Sequence, residues 1–168
     1  YKELKTDKKL VIAGATSDTD GYVKMLKEMA GDDPNIIFTG FVSGKLLEEI
    51  YSNAYVYVLP SKLEGMPLSL LEAMSYGNCV IGSDIAEIAD VVEDKAILFK
   101  KANVEDLKEK LQMVCDDVEL VEKYKSEASG YICGRYNWED VVNRTVEVYR
   151  GKKSCKEKLV ENSSVASI

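Results

Sequence analysis

Three observations predict an α/β fold, a doubly wound parallel sheet, for this 168-residue chain. Short apolar runs that end in Gly, Pro or a polar residue recur along it. Each run is followed by a stretch with apolar residues at helical spacing. Strand and helix patterns alternate, and that alternation builds a parallel sheet through crossover helices. The length suits one domain with a sizeable core.

Lys9 to Gly14 is the first strand candidate. Asp20 to Ala30 follows as a helix whose face carries Val23, Leu26, Met29 and Ala30. Gly31 to Asn35 is a turn cluster. Ile36 to Thr39 is the second strand, closed by Gly40. Ser43 is placed to cap a helix running to about Ser52, with Leu46, Leu47 and Ile50 turned inward. Ala54 to Leu59 is the third strand, and Leu68 to Tyr76 a helix ended by Gly77-Asn78. Cys79 to Gly82 is the fourth strand. A helical turn at Ala86 to Val91 leads to the fifth, Ala96 to Phe99. Asn103 is placed to cap Val104 to Cys115, with Leu107, Leu111 and Val114 on one face. Val118 to about Ser129 and Trp138 to Arg150, the latter capped by Asn137, are two closing helices. The Lys- and Ser-rich segment 151–168 reads as a flexible tail after a ligand-binding domain over 1–150.

Composition removes several function classes. The chain has 22 basic and 29 acidic residues, a net charge of −7, and a nucleic-acid footprint would be basic. No apolar run reaches the length of a membrane span, and no signal-peptide pattern is visible. A cytoplasmic protein is expected. The sequence opens on Tyr1 rather than Met, so an upstream segment is expected too. It contains no histidine, which excludes Ser-His-Asp and Cys-His systems and any His-ligated metal within the chain. Cys79, Cys115, Cys133 and Cys155 are widely spaced and read as free thiols.

The most informative stretch is Pro60 to Met74. Glu64 and Glu72 stand eight positions apart, one in a loop after a strand and one inside the helix that follows. In open α/β sheets, ligands sit beyond the carboxyl ends of strands. Gly65 allows a positive φ and a close backbone approach. Pro67 suits the first helical position. The N–H groups of Leu68, Ser69 and Leu70 are then expected as free donors at the positive end of the helix dipole, where a diphosphate fits. Lys62 stands nearby, although a lone loop lysine is commonly a solvated group. Glu64, an acceptor when ionised, suits sugar hydroxyls or positive charge developing at a reacting carbon. Glu72, one turn into the helix and about 6 Å deeper, can take both hydroxyls of a ribose. On spacing alone, Glu64 reads more readily as a loop charge, and Glu72 equally as a solvent-facing helix carboxylate. Gly14 alone reads as an ordinary turn after a strand, since no G-x-G-x-x-G follows it.

Pro60-Ser61, Glu64-Gly65-Met66-Pro67, Leu71-Glu72-Ala73-Met74 and Gly77 together resemble the E-x7-E motif of retaining glycosyltransferases of the group 1 family, which have the GT-B fold. The resemblance continues through Cys79 to Ile85, Leu10 to Gly14, Asn35 to Val42 and Tyr136 to Tyr149, and covers roughly residues 8–150. It implies the donor-binding half of such an enzyme, holding a nucleotide-diphosphate sugar and retaining anomeric configuration without a cofactor or metal. It implies further that Glu64 contacts the donor sugar as the catalytic carboxylate and that Glu72 contacts the ribose. The amides of Gly65, Met66, Pro67, Leu68, Ser69 and Leu70 would face sugar hydroxyls and phosphates, Pro67 through its neighbours since it lacks an N–H. Gly14 would line the phosphate side, and Gly40 to Val42 would edge the base. The family's acceptor-binding N-terminal half, its opening strand and helix and its basic Arg/Lys pair find no counterpart in this sequence. Any membrane contact would be peripheral and would come through that absent half. The turn often occupied by Gly-Gly reads Ile85-Ala86-Glu87. The family's opening strand would lie between Lys9–Gly14 and Ala54–Leu59. Two unpaired edges would result, to be closed by direct pairing, by a borrowed strand or by a longer polypeptide. A nucleotide-sugar epimerase relative and a non-catalytic nucleotide- or sugar-binding module remain as alternative readings.

Overall fold

Residues 1–15 and 20–151 are described by the computed structural model. Strands β1 (Leu10–Ala13), β2 (Ile36–Gly40), β3 (Val56–Leu59), β4 (Cys79–Ser83) and β5 (Ile97–Phe99) alternate with helices. The helices are α1 (Asp20–Ala30), α2 (Gly44–Asn53), α3 (Leu68–Ser75), α4 (Ala86–Val92), α5 (Val104–Asp116), α6 (Val118–Arg135) and α7 (Trp138–Tyr149). The segment read as a tail lies outside the described residues from position 152 onward, and Cys155 with it.

Every strand pair is parallel, as the alternation predicts, but the strands fall into two sheets. β1 pairs with β2, Leu10 opposite Ile36 and Ile12 opposite Phe38, and the register shifts before Ala13. β4 lies between β3 and β5, with Val56 opposite Cys79 and Ile81 opposite Ile97. Direct pairing of β1 with β3 is therefore not how the edges are resolved. Among the described residues nothing pairs with the outer edge of β1 or with the edge of β3 that faces away from β4. A lysine links the two sheets near their starts: Lys8 Nζ lies 4.7 Å from the centroid of the Tyr55 ring.

The core sits on the three-stranded sheet. All five residues of β4 are buried. Cys79, Ile81, Ile97 and Phe99 pack with Val114 of α5 and Val121 of α6. Leu107 and Leu111 close over them, so the expected inward face of α5 is the observed one. Burial pushes the Cys79 thiol up to about 11 from its ordinary 9.0. Gly82 lies against α4, and a Cβ built there would stand 2.8 Å from Ile88 Cγ2.

Helix ends follow local chemistry. The Asn103 side chain accepts from the Asp106 N–H, and the Asn137 side chain accepts from the Asp140 N–H, both as the sequence predicts. Ser43 occupies the N-cap of α2 without a side-chain cap bond. Two apolar positions expected inward face solvent: Met29 is 66% exposed and Leu46 is 54% exposed. On α2 the buried residue is Tyr51 instead. α6 runs to Arg135, beyond the expected end near Ser129, since neither Gly130 nor Gly134 adopts a positive φ.

The chain divides into a unit over Tyr1–Gly130, which holds both sheets, and a second from Tyr131. In the second unit α7 presents Trp138, Val142 and Tyr149 to solvent. No described helix is long and apolar enough to cross a membrane.

Candidate functional site

β3 delivers the chain to Pro60, and the loop to Pro67 leads directly into α3. The start of the loop is anchored from the neighbouring strand. Buried Ser83, at the end of β4, donates through Oγ to the Ser61 carbonyl at 2.5 Å. α3 turns Leu70, Ala73 and Met74 into the core, the i, i+3, i+4 pattern of a helix packed on one face. Pro67 is also buried, while Leu63, Met66 and Leu68 are exposed.

The backbone departs from expectation at two places. Pro67 is the N-cap, with φ −77° and ψ 71°, so the helix begins at Leu68. The Leu68 N–H donates to the Met66 carbonyl at 2.8 Å, and the Leu70 N–H to the Pro67 carbonyl at 3.0 Å. Only Ser69, of the three donors expected free, has no backbone partner recorded among the described residues. An inverse γ-turn centred on Pro67 satisfies the Leu68 N–H, and a 3₁₀-type bond satisfies that of Leu70. Gly65 does not use a positive φ. A Cβ there would meet nothing within 4 Å, so the missing side chain leaves open space beside the loop.

Glu64 is half-buried and Glu72 is exposed, on the flank of α3. Glu72 belongs to a cluster of tyrosines. The Tyr51 hydroxyl donates to Glu72 Oε2 at 3.1 Å, and the Tyr57 hydroxyl donates to Ser69 Oγ at 2.8 Å. The Tyr51 ring stacks on Tyr76, with centroids 5.5 Å apart, and meets Tyr57 at 6.0 Å. Burial raises the Tyr57 phenol above its ordinary value; the bond with Ser69 opposes this, and the charges of Glu64 and Glu72 both add to it. Both carboxylates therefore act on one hydroxyl. Tyr51 is raised as well, first by burial and then by the neighbouring Tyr57 and Glu72.

Gly14 belongs to the other sheet. Its φ is +146°, a conformation that L side chains rarely adopt, and its N–H donates to the Gly40 carbonyl at 2.9 Å. That bond joins the ends of β1 and β2; no hydrogen bond among the described residues ties Gly14 to the Pro60–Pro67 loop. Ile85, Ala86 and Glu87 form the N-cap and first turn of α4 rather than a free turn. Among the described residues, no group of three or more His, Cys, Asp or Glu side chains is arranged to hold a metal ion.

Sequence reasoning passed over Tyr51, Tyr57, Asn78 and Ser83. Asn78 is buried, and its Nδ2 donates to the carbonyls of Tyr51 and Ala73, each at 2.9 Å, tying α2 to α3. The available signal was a polar residue between a helix and a wholly apolar strand, a position that demands hydrogen-bond partners.

Parallel strands followed by crossover helices, with a loop that opens onto a helix start, define a Rossmann-like ligand-binding half. The chain belongs to the group 1 glycosyl transferases, whose family profile matches residues 1–129. It is 30% identical over 144 residues to an uncharacterized glycosyltransferase of Methanocaldococcus jannaschii, across 84% of this chain and 37% of that protein. The crystal structure of TarM is 27% identical, with a TM-score of 0.68 over 84% of this chain and 28% of its own. HepE of Anabaena, crystallised in complex with UDP and glucose, gives a TM-score of 0.81 at 16% identity, over 89% of this chain and 42% of its own. The fold is thus shared with GT-B glycosyltransferases. The chain spans well under half the length of each of these three.

Proposed function

We propose that this chain is the donor-binding part of a retaining glycosyltransferase and holds a nucleotide-diphosphate sugar along the Pro60–Glu72 segment. The observation that carries the reading is the start of α3, where the Ser69 N–H has no backbone partner among the described residues and Glu72, one turn on, is held by the Tyr51 hydroxyl, with Glu64 in the loop that leads in. Two carboxylate acceptors flanking a backbone donor match a ligand with hydroxyls at both ends and phosphates between them.

In this reading Glu64 accepts from hydroxyls of the transferred sugar and stabilises positive charge at the anomeric carbon as the leaving diphosphate departs. Glu72 accepts from the ribose. The Ser69 N–H, with the positive end of α3, faces a phosphate oxygen. Gly65 leaves room for the ligand to lie against the main chain. Gly14 borders the phosphates from the other sheet. No metal is required, so binding persists in EDTA. The complex of HepE with UDP and glucose supports a donor of this class. The acceptor is bound by other regions of the longer enzyme, as the partial coverage of the relatives suggests.

Calorimetric titration with UDP-, GDP- and ADP-linked sugars tests the reading. Binding to at least one of them is expected. Glu64→Ala should weaken the nucleotide sugar while sparing the free nucleotide, and Glu72→Ala should weaken both. Absence of binding to every member of the panel would favour an interaction module instead.

A further inference from the structure

Tyr51 stands outside the loop and helix that make up the candidate site, yet it is fixed there at three points. Asn78 Nδ2 holds its carbonyl at 2.9 Å. Its buried ring rests on Tyr57 and Tyr76. Its hydroxyl donates to Glu72 Oε2 at 3.1 Å and lies 3.4 Å from the Ser69 carbonyl. A phenol carries one proton, and here the ionised carboxylate is the stronger acceptor. An exposed glutamate otherwise samples many rotamers, and ordering it on ligand binding costs side-chain entropy.

We propose that Tyr51 is the positioning residue for Glu72: it holds one carboxylate oxygen so that the other is presented, already oriented, to a vicinal diol of the bound nucleotide. The proposal rests on the reading of Glu72 as the ribose contact. Burial keeps the phenol protonated well above neutral pH, so the donor persists in every working condition. Tyr57 has a similar role nearby, bracing the Ser69 hydroxyl against the strand. A purely packing role for Tyr51 would need the ring alone and would not distinguish ligands with and without the diol.

The test compares UDP, GDP and ADP with their 2′,3′-dideoxy counterparts, using the unsubstituted protein, Tyr51→Phe, Glu72→Ala and the double variant. Tyr51→Phe keeps the ring. It should weaken the ribonucleotide by about five- to tenfold, the scale of one ordinary hydrogen bond at an exposed carboxylate, and leave the dideoxy form unchanged. In the Glu72→Ala background it should have no further effect. Equal weakening of both ligand forms, or no weakening while Glu72→Ala weakens the ribonucleotide, overturns the positioning role and leaves the ribose reading in place. An inert Glu72→Ala overturns the ribose reading, and the positioning role with it. Should Tyr51→Phe fail to fold, the unsubstituted protein carries the test. The hydroxyl-bearing ring carbon of Tyr51 should shift in NMR spectra on saturation with ribonucleotide and stay put with the dideoxy form; equal shifts would refute the proposal.

Discussion

The two sheets are built from similar apolar runs and end in different states. In the three-stranded sheet, β4 is flanked on both sides and all five of its residues are buried. In the two-stranded sheet, Val11 of β1 remains 43% exposed and Ile37 of β2 39%. Apolar composition thus nominates a strand, but helices packed on its face decide how much it buries: β5, paired on one edge only, still buries Ile97 and Phe99 against α5 and α6. The site follows the same division. Ser83 on the buried sheet anchors the loop, while Gly14 and Gly40 join the strands of the two-stranded sheet.

The largest effect that can test this contrast is truncation of a strand side chain in each sheet. Ile81→Ala should cost about 2–5 kcal/mol in urea denaturation, whereas Val11→Ala should cost less than about 1 kcal/mol. Equal costs would erase the difference between the sheets. Alkaline pH sharpens the contrast next. The Cys79 thiol is protonated in the fold up to about 11, against an ordinary 9.0. Above pH 9 the unfolded chain therefore holds fewer protons, and stability falls as pH rises through that window. The loss should be on the order of 2 kcal/mol, should be complete by about pH 11 and should shrink in Cys79→Val. Gly82→Ala forces a Cβ against Ile88 and should destabilise by about 1–3 kcal/mol, read from the same melts. The smallest perturbation is hydrogen exchange on the unsubstituted protein. The β4 amides should exchange only with global unfolding. The Val11 amide, which alternation turns to the unpaired edge of β1, should exchange through local opening, orders of magnitude faster. Comparable protection of Val11 would mean that another segment pairs with that edge.

Much of this architecture was legible in the sequence because its cues are local. Strand runs, the Asn103 and Asn137 caps and the α5 face were all set by neighbours within one turn. The family resemblance also singled out the loop and helix start that bear Glu64 and Glu72. What could not be read depends on partners distant in sequence. Tyr51 and Glu72 are 21 positions apart, and the spacing of α2 points only to an apolar face of Leu46, Leu47 and Ile50, with no cue that Tyr51 packs. The free amides expected at Leu68 and Leu70 were lost to a tight turn whose bonds depend on the ψ of Pro67. Gly65 suggested a left-handed backbone, and instead supplies empty volume.

Asn78 carries a mechanical consequence. One amide nitrogen grips the main chain of Tyr51 and that of Ala73, so the last turns of two helices are riveted at a single point. Any rocking of α3 that carries Glu72 toward or away from a ligand must drag the end of α2 with it. The pair has one joint where two independent helices would have two, and it lies in the buried seam between them.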